Sequence, residues 1–259
     1  MSALDAAATA GRPETRSFED FRVGEVSTIE LSPEGGLTRT RLLSVLGQAA
    51  PFRDALMTQV RWELGARPDA AGTRIEGIVT RWKPERKRGR GTLHQDVRLL
   101  DADGAVVERA HIGWDVPAAT QVEDDLSPSR IAWDVGTVAW GEHLAARLAN
   151  NADFVSAVQT FDGSIAIRAG EAQVEFRIYR GAVLEVARKT LDGPTFTIGG
   201  GERAWVELLA AADNDFVSRT RRGEFRSVGN NFQYLRLFRA VMLMIDEAQL
   251  AAVKEMPGA

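Results

Sequence analysis

The chain has 259 residues, 44% of them hydrophobic and 26% charged, with a net charge of −4 and no cysteine. Such a length and balance fit a soluble globular protein with room for two ordinary domains. They exclude disulfides, thiolate catalysis and cysteine-ligated zinc, and the negative balance argues against non-specific nucleic-acid binding.

Residues 1–15 have no basic start and no apolar core, so no secretory signal is expected, and 6–14 read as a frayed tail. No apolar run approaches the ~18 residues of a membrane span, and a cytoplasmic location is expected. Residues 26–31 read as a strand. Thr38 opens a helical stretch through Leu42, Leu43 and Leu46. Pro51 restarts or kinks it, and Phe52, Leu56, Val60 and Leu64 follow at four-residue spacing as one apolar helical face. Strands take over at 75–82, 92–100 and 105–116, and a helix followed by a meander suits a sheet wrapped around one central helix. Residues 117–130 carry Pro117, Pro128 and an acidic cluster with little periodicity, which is linker composition.

The second half opens with a helix that carries His143. Across 161–198, Val174, Phe176 and Ile178 alternate with Glu175, Arg177 and Tyr179, the period-2 pattern of a strand with one buried face. Gly163, Gly170 and Gly181 are placed at strand reversals. The run Gly199-Gly200-Gly201 is expected to break the sheet before a helix over 202–212. It has neither the Lys nor the spacing of a P-loop, so it reads as a turn. In 230–253 a stripe of Phe232, Leu235, Phe238, Met242 and Ile245 recurs at helical spacing, with Arg236 and Arg239 set apart.

Two family resemblances follow. Phe161-Asp162-Gly163-Ser164-Ile165-Ala166-Ile167, Tyr179-Arg180-Gly181 and Ala204-Trp205 resemble the lipid-binding domain of the sterol carrier protein type 2 family, over roughly 133–250. Ser17-Phe18-Glu19-Asp20-Phe21-Arg22-Val23-Gly24, Arg88-Gly89-Arg90-Gly91-Thr92 and Asp103-Gly104-Ala105-Val106-Val107 resemble the MaoC-like hydratase branch of the hotdog fold, over 16–117. Together they imply an α+β protein: a hotdog domain at 16–117, a linker at 118–130 and a sterol-carrier-like domain at 131–259.

The MaoC-like family works through a Gly-Asp-x-Asn-Pro-x-His motif, whose Asp and His move the protons of a water at an enoyl-CoA double bond. Gly47 and Pro51 match it, but Gln48 stands at the Asp position, Ala50 at the Asn position and Arg53 at the His position. A glutamine amide does not ionise and a guanidinium stays protonated, so the resemblance implies a site without its acid and base. The sterol carrier resemblance implies that Phe232, Leu235, Phe238 and Met242, with Phe176 beneath, line a cavity for an acyl chain or sterol. The plain alternative makes the same stripe packed core.

Arg81, Lys83, Arg86, Lys87, Arg88 and Arg90 form a basic cluster. Lys83, Arg86, Lys87 and Arg88 are candidates for the phosphates of coenzyme A or an anionic carrier protein, against the reading of a solvated hairpin loop. A four-residue loop at 101–104 pairs Leu100 with Ala105, sets His94 opposite His111 and Asp96 opposite Arg109, and buries Leu93 against Ile112. Two histidines make a poor metal site, and no metal or cofactor is expected. The expected function is binding or scaffolding of a hydrophobic acyl, steroid or polyketide-type ligand as a thioester. The alternatives are a hydratase, dehydratase or cyclase built from other residues, or the non-catalytic partner of a catalytic hotdog subunit. A homodimer or heteromer through 16–117 is expected, since hotdog halves join sheet to sheet.

Overall fold

The computed structural model describes residues 18, 21–31, 55–65, 72–85, 89–118 and 128–254. The chain divides into two compact units, Met1–Asp125 and Leu126–Ala259.

Unit 1 carries five strands, β1 (Val26–Glu30), β2 (Leu56–Leu64), β3 (Arg74–Glu85), β4 (Arg90–Leu100) and β5 (Val106–Pro117). They form one antiparallel sheet in the order β1-β3-β4-β5-β2. Alternation along β4 and β5 buries Leu93, Val97, Leu99, Ala110, Ile112, Trp114 and Val116 on one face. Phe18 seals part of that face. Its ring stacks on Trp82 with centroids 4.2 Å apart, and its carbonyl accepts the Trp82 indole N–H at 2.8 Å. Gly91 makes room for this, since a Cβ there would sit 2.2 Å from the Phe18 ring.

Two expectations for unit 1 are corrected. Residues 56–64 form strand β2, not a helix. Leu56, Val60 and Leu64 recur every four residues, and four is also a multiple of the strand period. Trp62 lies between Val60 and Leu64 on their face and favours the strand, with Gln59, Arg61 and Glu63 opposite, while an irregularity at Thr58 turns Leu56 to that opposite face. The β4–β5 register is also shifted, because an irregularity between Leu99 and Leu100 pairs Leu100 with Val106. His94 therefore lies opposite Gly113, Asp96 opposite His111, and Leu93 opposite Trp114. The hairpin turn itself stands where expected, with Asp101 Oδ1 accepting from Asp103 N at 3.0 Å and Ala105 N at 2.8 Å. The expected helix through Leu42, Leu43 and Leu46 falls outside the described residues.

Unit 2 begins with α1 (Pro128–Ile131), α2 (Val138–Leu148) and α3 (Ala152–Ala157). Strands β6 (Asp162–Ala169), β7 (Ala172–Tyr179), β8 (Ala182–Ala187) and β9 (Phe196–Gly200) follow, then α4 (Glu202–Ala210), α5 (Phe216–Arg221), β10 (Phe225–Gly229), α6 (Asn231–Arg236) and α7 (Phe238–Lys254). The sheet runs β10-β9-β6-β7-β8 and is antiparallel except for the β6–β9 pair. Side-chain caps start the helices where the chain leaves extended structure: Thr137 accepts from Trp140 N, Asn151 from Phe154 N and Asn230 from Gln233 N.

Val174, Phe176 and Ile178 are buried as the alternation predicts, and the core they form includes Trp140, Trp205, Val241 and Met244. The Trp205 indole donates to the Arg168 carbonyl at 2.8 Å, which ties α4 to β6. Gly170 and Gly181 do sit at strand reversals with positive φ. Gly163 does not; it lies inside β6, where a Cβ would meet Thr195 Oγ1 at 2.4 Å. Gly199 and Gly200 continue β9 instead of breaking it, because the Phe225 ring packs 2.7 Å from where a Gly200 Cβ would stand.

The C-terminal segment is two helices joined at Leu237, not one. Its buried stripe runs through Leu237, Ala240, Val241, Met244, Ile245, Ala248 and Ala252. The larger side chains drew the expected stripe about one position round. Alanines let α7 approach its neighbours closely, so the core-facing stripe is the one with smaller residues.

Candidate functional site

At the junction of α6 and α7, the local sequence sorts apolar side chains into two opposed sets. Tyr234 is half-buried, and its ring meets Phe196 edge-on at 5.6 Å and Phe238 at 5.9 Å. Burial raises the Tyr234 phenol above its ordinary value. Leu237 is 1% exposed, while Phe232 and Leu235 on the other side of α6 are 72% and 70% exposed. Phe238 and Met242 are half-buried and pack against the core. Val228, just before α6, is exposed as well. Cations border the patch: Arg236 donates to the Thr160 carbonyl at 3.2 Å, and Arg239 pairs with Asp153 at 2.8 Å.

The five residues expected to bind ligand are therefore not equivalent. Phe176 is fully buried in the sheet, edge-on to Trp140 at 6.2 Å. Phe238 and Met242 form a half-buried shelf, and Phe232 and Leu235 stand in solvent beside it. Covering the two exposed side chains with an apolar partner would contribute roughly 2–4 kcal/mol.

The opposite face of the same sheet is polar. A cavity of about 400 Å³ opens there among Asp162, Ser164, Arg177, Asp192, Gly193 and Thr195. Sequence reading missed it. The outward half of the β7 alternation, Glu175 and Arg177, was the available signal, but the loop that completes the cavity has no periodicity to read.

In unit 1, Gln48, Arg53, Arg86, Lys87 and Arg88 lie outside the described residues. Lys83 is exposed on β3, opposite Thr92. Arg90 is spent locally, its Nε 2.8 Å from Asp115 Oδ1 and its Nη2 donating to the Asp115 carbonyl at 3.0 Å. His94 and His111 share a face with ring centroids 5.1 Å apart, brought together diagonally by the shifted register. His143 is half-buried on α2.

No protein family and no curated protein matches the sequence. Among solved structures, one similar chain is a crystal structure of sterol carrier protein 2, at 18% identity and TM-score 0.39, covering 45% of this chain and 98% of that one. A second is the solution structure of a conserved hypothetical protein from Thermus thermophilus, suggested to be a sterol carrier protein, at 19% identity and TM-score 0.36, covering 46% and 90%. A third is a hypothetical thioesterase from Streptococcus pneumoniae with coenzyme A, at 17% identity and TM-score 0.24, covering 39% and 84%. Among the described residues, no helix is long and apolar enough to cross a membrane.

Proposed function

We propose that this protein binds a hydrophobic acyl, steroid or polyketide-type molecule, carried as a thioester, on the α6–α7 side of unit 2. The observation that carries this reading is the exposure of Phe232 and Leu235 beside the half-buried Phe238 and Met242. Apolar side chains clustered in solvent mark a binding surface, whereas a lone exposed one needs no explanation. The Met242 thioether adapts to varied apolar shapes, which suits a tolerant site.

For unit 1 the reading is a hotdog domain without hydratase chemistry. The antiparallel order β1-β3-β4-β5-β2, with a long connection between β1 and β2, supports a sheet wrapped about a central segment. Gln48 and Arg53 supply neither an acid nor a base. Within unit 1 taken by itself, Lys83, with Arg86, Lys87 and Arg88, is the candidate contact for the phosphates of coenzyme A or an anionic carrier protein. Pairing between copies is proposed at β2, a nine-residue strand at the sheet edge among the described residues, with Leu56, Val60 and Leu64 exposed. Native mass spectrometry of the protein as purified, followed by extraction, tests the ligand class. Extracts holding an acyl or polyketide species support the reading, and extracts with only hydrophilic metabolites contradict it.

A further inference from the structure

The polar cavity on the far face of the second sheet is independent of the apolar site, and we infer that it binds a small protonated amine. Its volume, about 400 Å³, is that of a small-molecule site. Behind Ser164, which lines the cavity, runs a buried chain of oxygens. Glu175 is 1% exposed, and its carboxylate accepts from Thr190 N at 2.8 Å, Thr190 Oγ1 at 2.7 Å and Gln173 Nε2 at 3.2 Å. Among the described residues no cation pairs with it. Ser164, 2% exposed, lies 3.1 Å from Thr190 Oγ1 and lines the cavity.

Proton counting fixes what Ser164 offers. Thr190 has one hydroxyl proton, and the charged oxygen at 2.7 Å takes it in preference to the neutral one at 3.1 Å. Ser164 then donates its own proton to Thr190 Oγ1 and keeps its lone pairs for the cavity. Behind those lone pairs stands a carboxylate with no counter-charge. At the rim Asp192 adds another, on an exposed turn that Gly193 makes with φ of 69°.

Arg177 does not reverse this balance. Its Nη2 pairs with Asp162, and its Nη1 donates to the carbonyls of Gly163 and Ile178. That leaves Asp192 as the net charge of the lining, with the buried Glu175 carboxylate behind Ser164. An ammonium group supplies a positive charge for Asp192 and an N–H donor for the Ser164 hydroxyl. A divalent metal fits poorly, because the Glu175 oxygens are already held by three donors.

The test titrates the full-length ¹⁵N-labelled protein with ethanolamine, and in parallel with tetramethylammonium, acetate and magnesium ions. Saturable shifts at the amides of Ser164, Thr190, Gly193 and Thr195 are expected with ethanolamine alone. Asp192→Asn and Ser164→Ala should each weaken it about tenfold, the loss of one charge-assisted hydrogen bond. Asp192 is exposed, so its variant leaves the fold intact if Ser164→Ala disturbs it. The inference is overturned by no saturable shift with ethanolamine, by an equal response to tetramethylammonium or magnesium, or by undiminished binding in Asp192→Asn. Each outcome is separate from acyl binding, which occupies the other face.

Discussion

Phe232 and Leu237 belong to one short turn of chain, yet the first is 72% exposed and the second 1%. Helix α6 therefore has a structural side and a free side, and substitutions should separate them. Leu237→Ala should lower stability by about 2–5 kcal/mol, as other buried leucines do. Phe232→Ser and Leu235→Ser should stay within about 0.5 kcal/mol of the parent. Urea denaturation of the three variants checks this. A large loss from Phe232→Ser would mean the free side is structural.

Tyr234 predicts an alkaline limit. Its folded pKa is raised above the ordinary 10.0 by burial, so the unfolded chain gives up the proton first as pH rises. The contribution is fully present below about pH 10 and is lost as pH climbs through the folded value. Tyr234→Phe should flatten the fall in stability across that window. Denaturation midpoints on either side of pH 10 measure it, and parallel slopes for parent and variant would exclude Tyr234 as the cause.

The proposed hotdog reading of unit 1, with Gln48 and Arg53 at the acid and base positions, predicts inactivity. Neither side chain exchanges a proton near neutral pH, so crotonyl-CoA and longer enoyl-CoAs should not be hydrated above background. A spectrophotometric assay showing turnover near the usual range of about 1 per second or more would contradict this.

The β2 edge predicts association. Light scattering of the full chain should give a dimer, or a heteromer with a partner subunit, and Val60→Lys should shift it toward monomer by placing charge on the exposed edge. A parent that stays monomeric at high concentration and without a partner subunit would remove β2 from the account.

Much of unit 2 was legible because one face of each strand is buried, which writes alternation into Val174, Phe176 and Ile178 and leaves glycine at the Gly170 and Gly181 turns. Legibility failed where two periods coincide. Val60 and Leu64 satisfy helix and strand alike, only Trp62 separates the two readings, and the irregularity at Thr58 that turns Leu56 away leaves no mark on the spacing. It failed again in α7, where Ala240, Ala248 and Ala252 face the core while the bulkier Phe238 and Met242 lie at its margin. The polar cavity was invisible for a third reason: Ser164, Thr190 and Glu175 come from two strands and a loop, and only tertiary contact reveals the chain of hydrogen bonds.

Calorimetric titration of the full-length protein with acyl thioesters of graded length tests the central claim most directly. Burying a chain against Phe232, Leu235, Phe238 and Met242 contributes about 0.8 kcal/mol per methylene, or about a fourfold gain in affinity for each. Affinity should climb at that rate until the apolar surface is covered and then level off, and Phe232→Ser with Leu235→Ser should lower the climb. Flat affinity across all lengths would show that the α6–α7 surface takes no acyl chain.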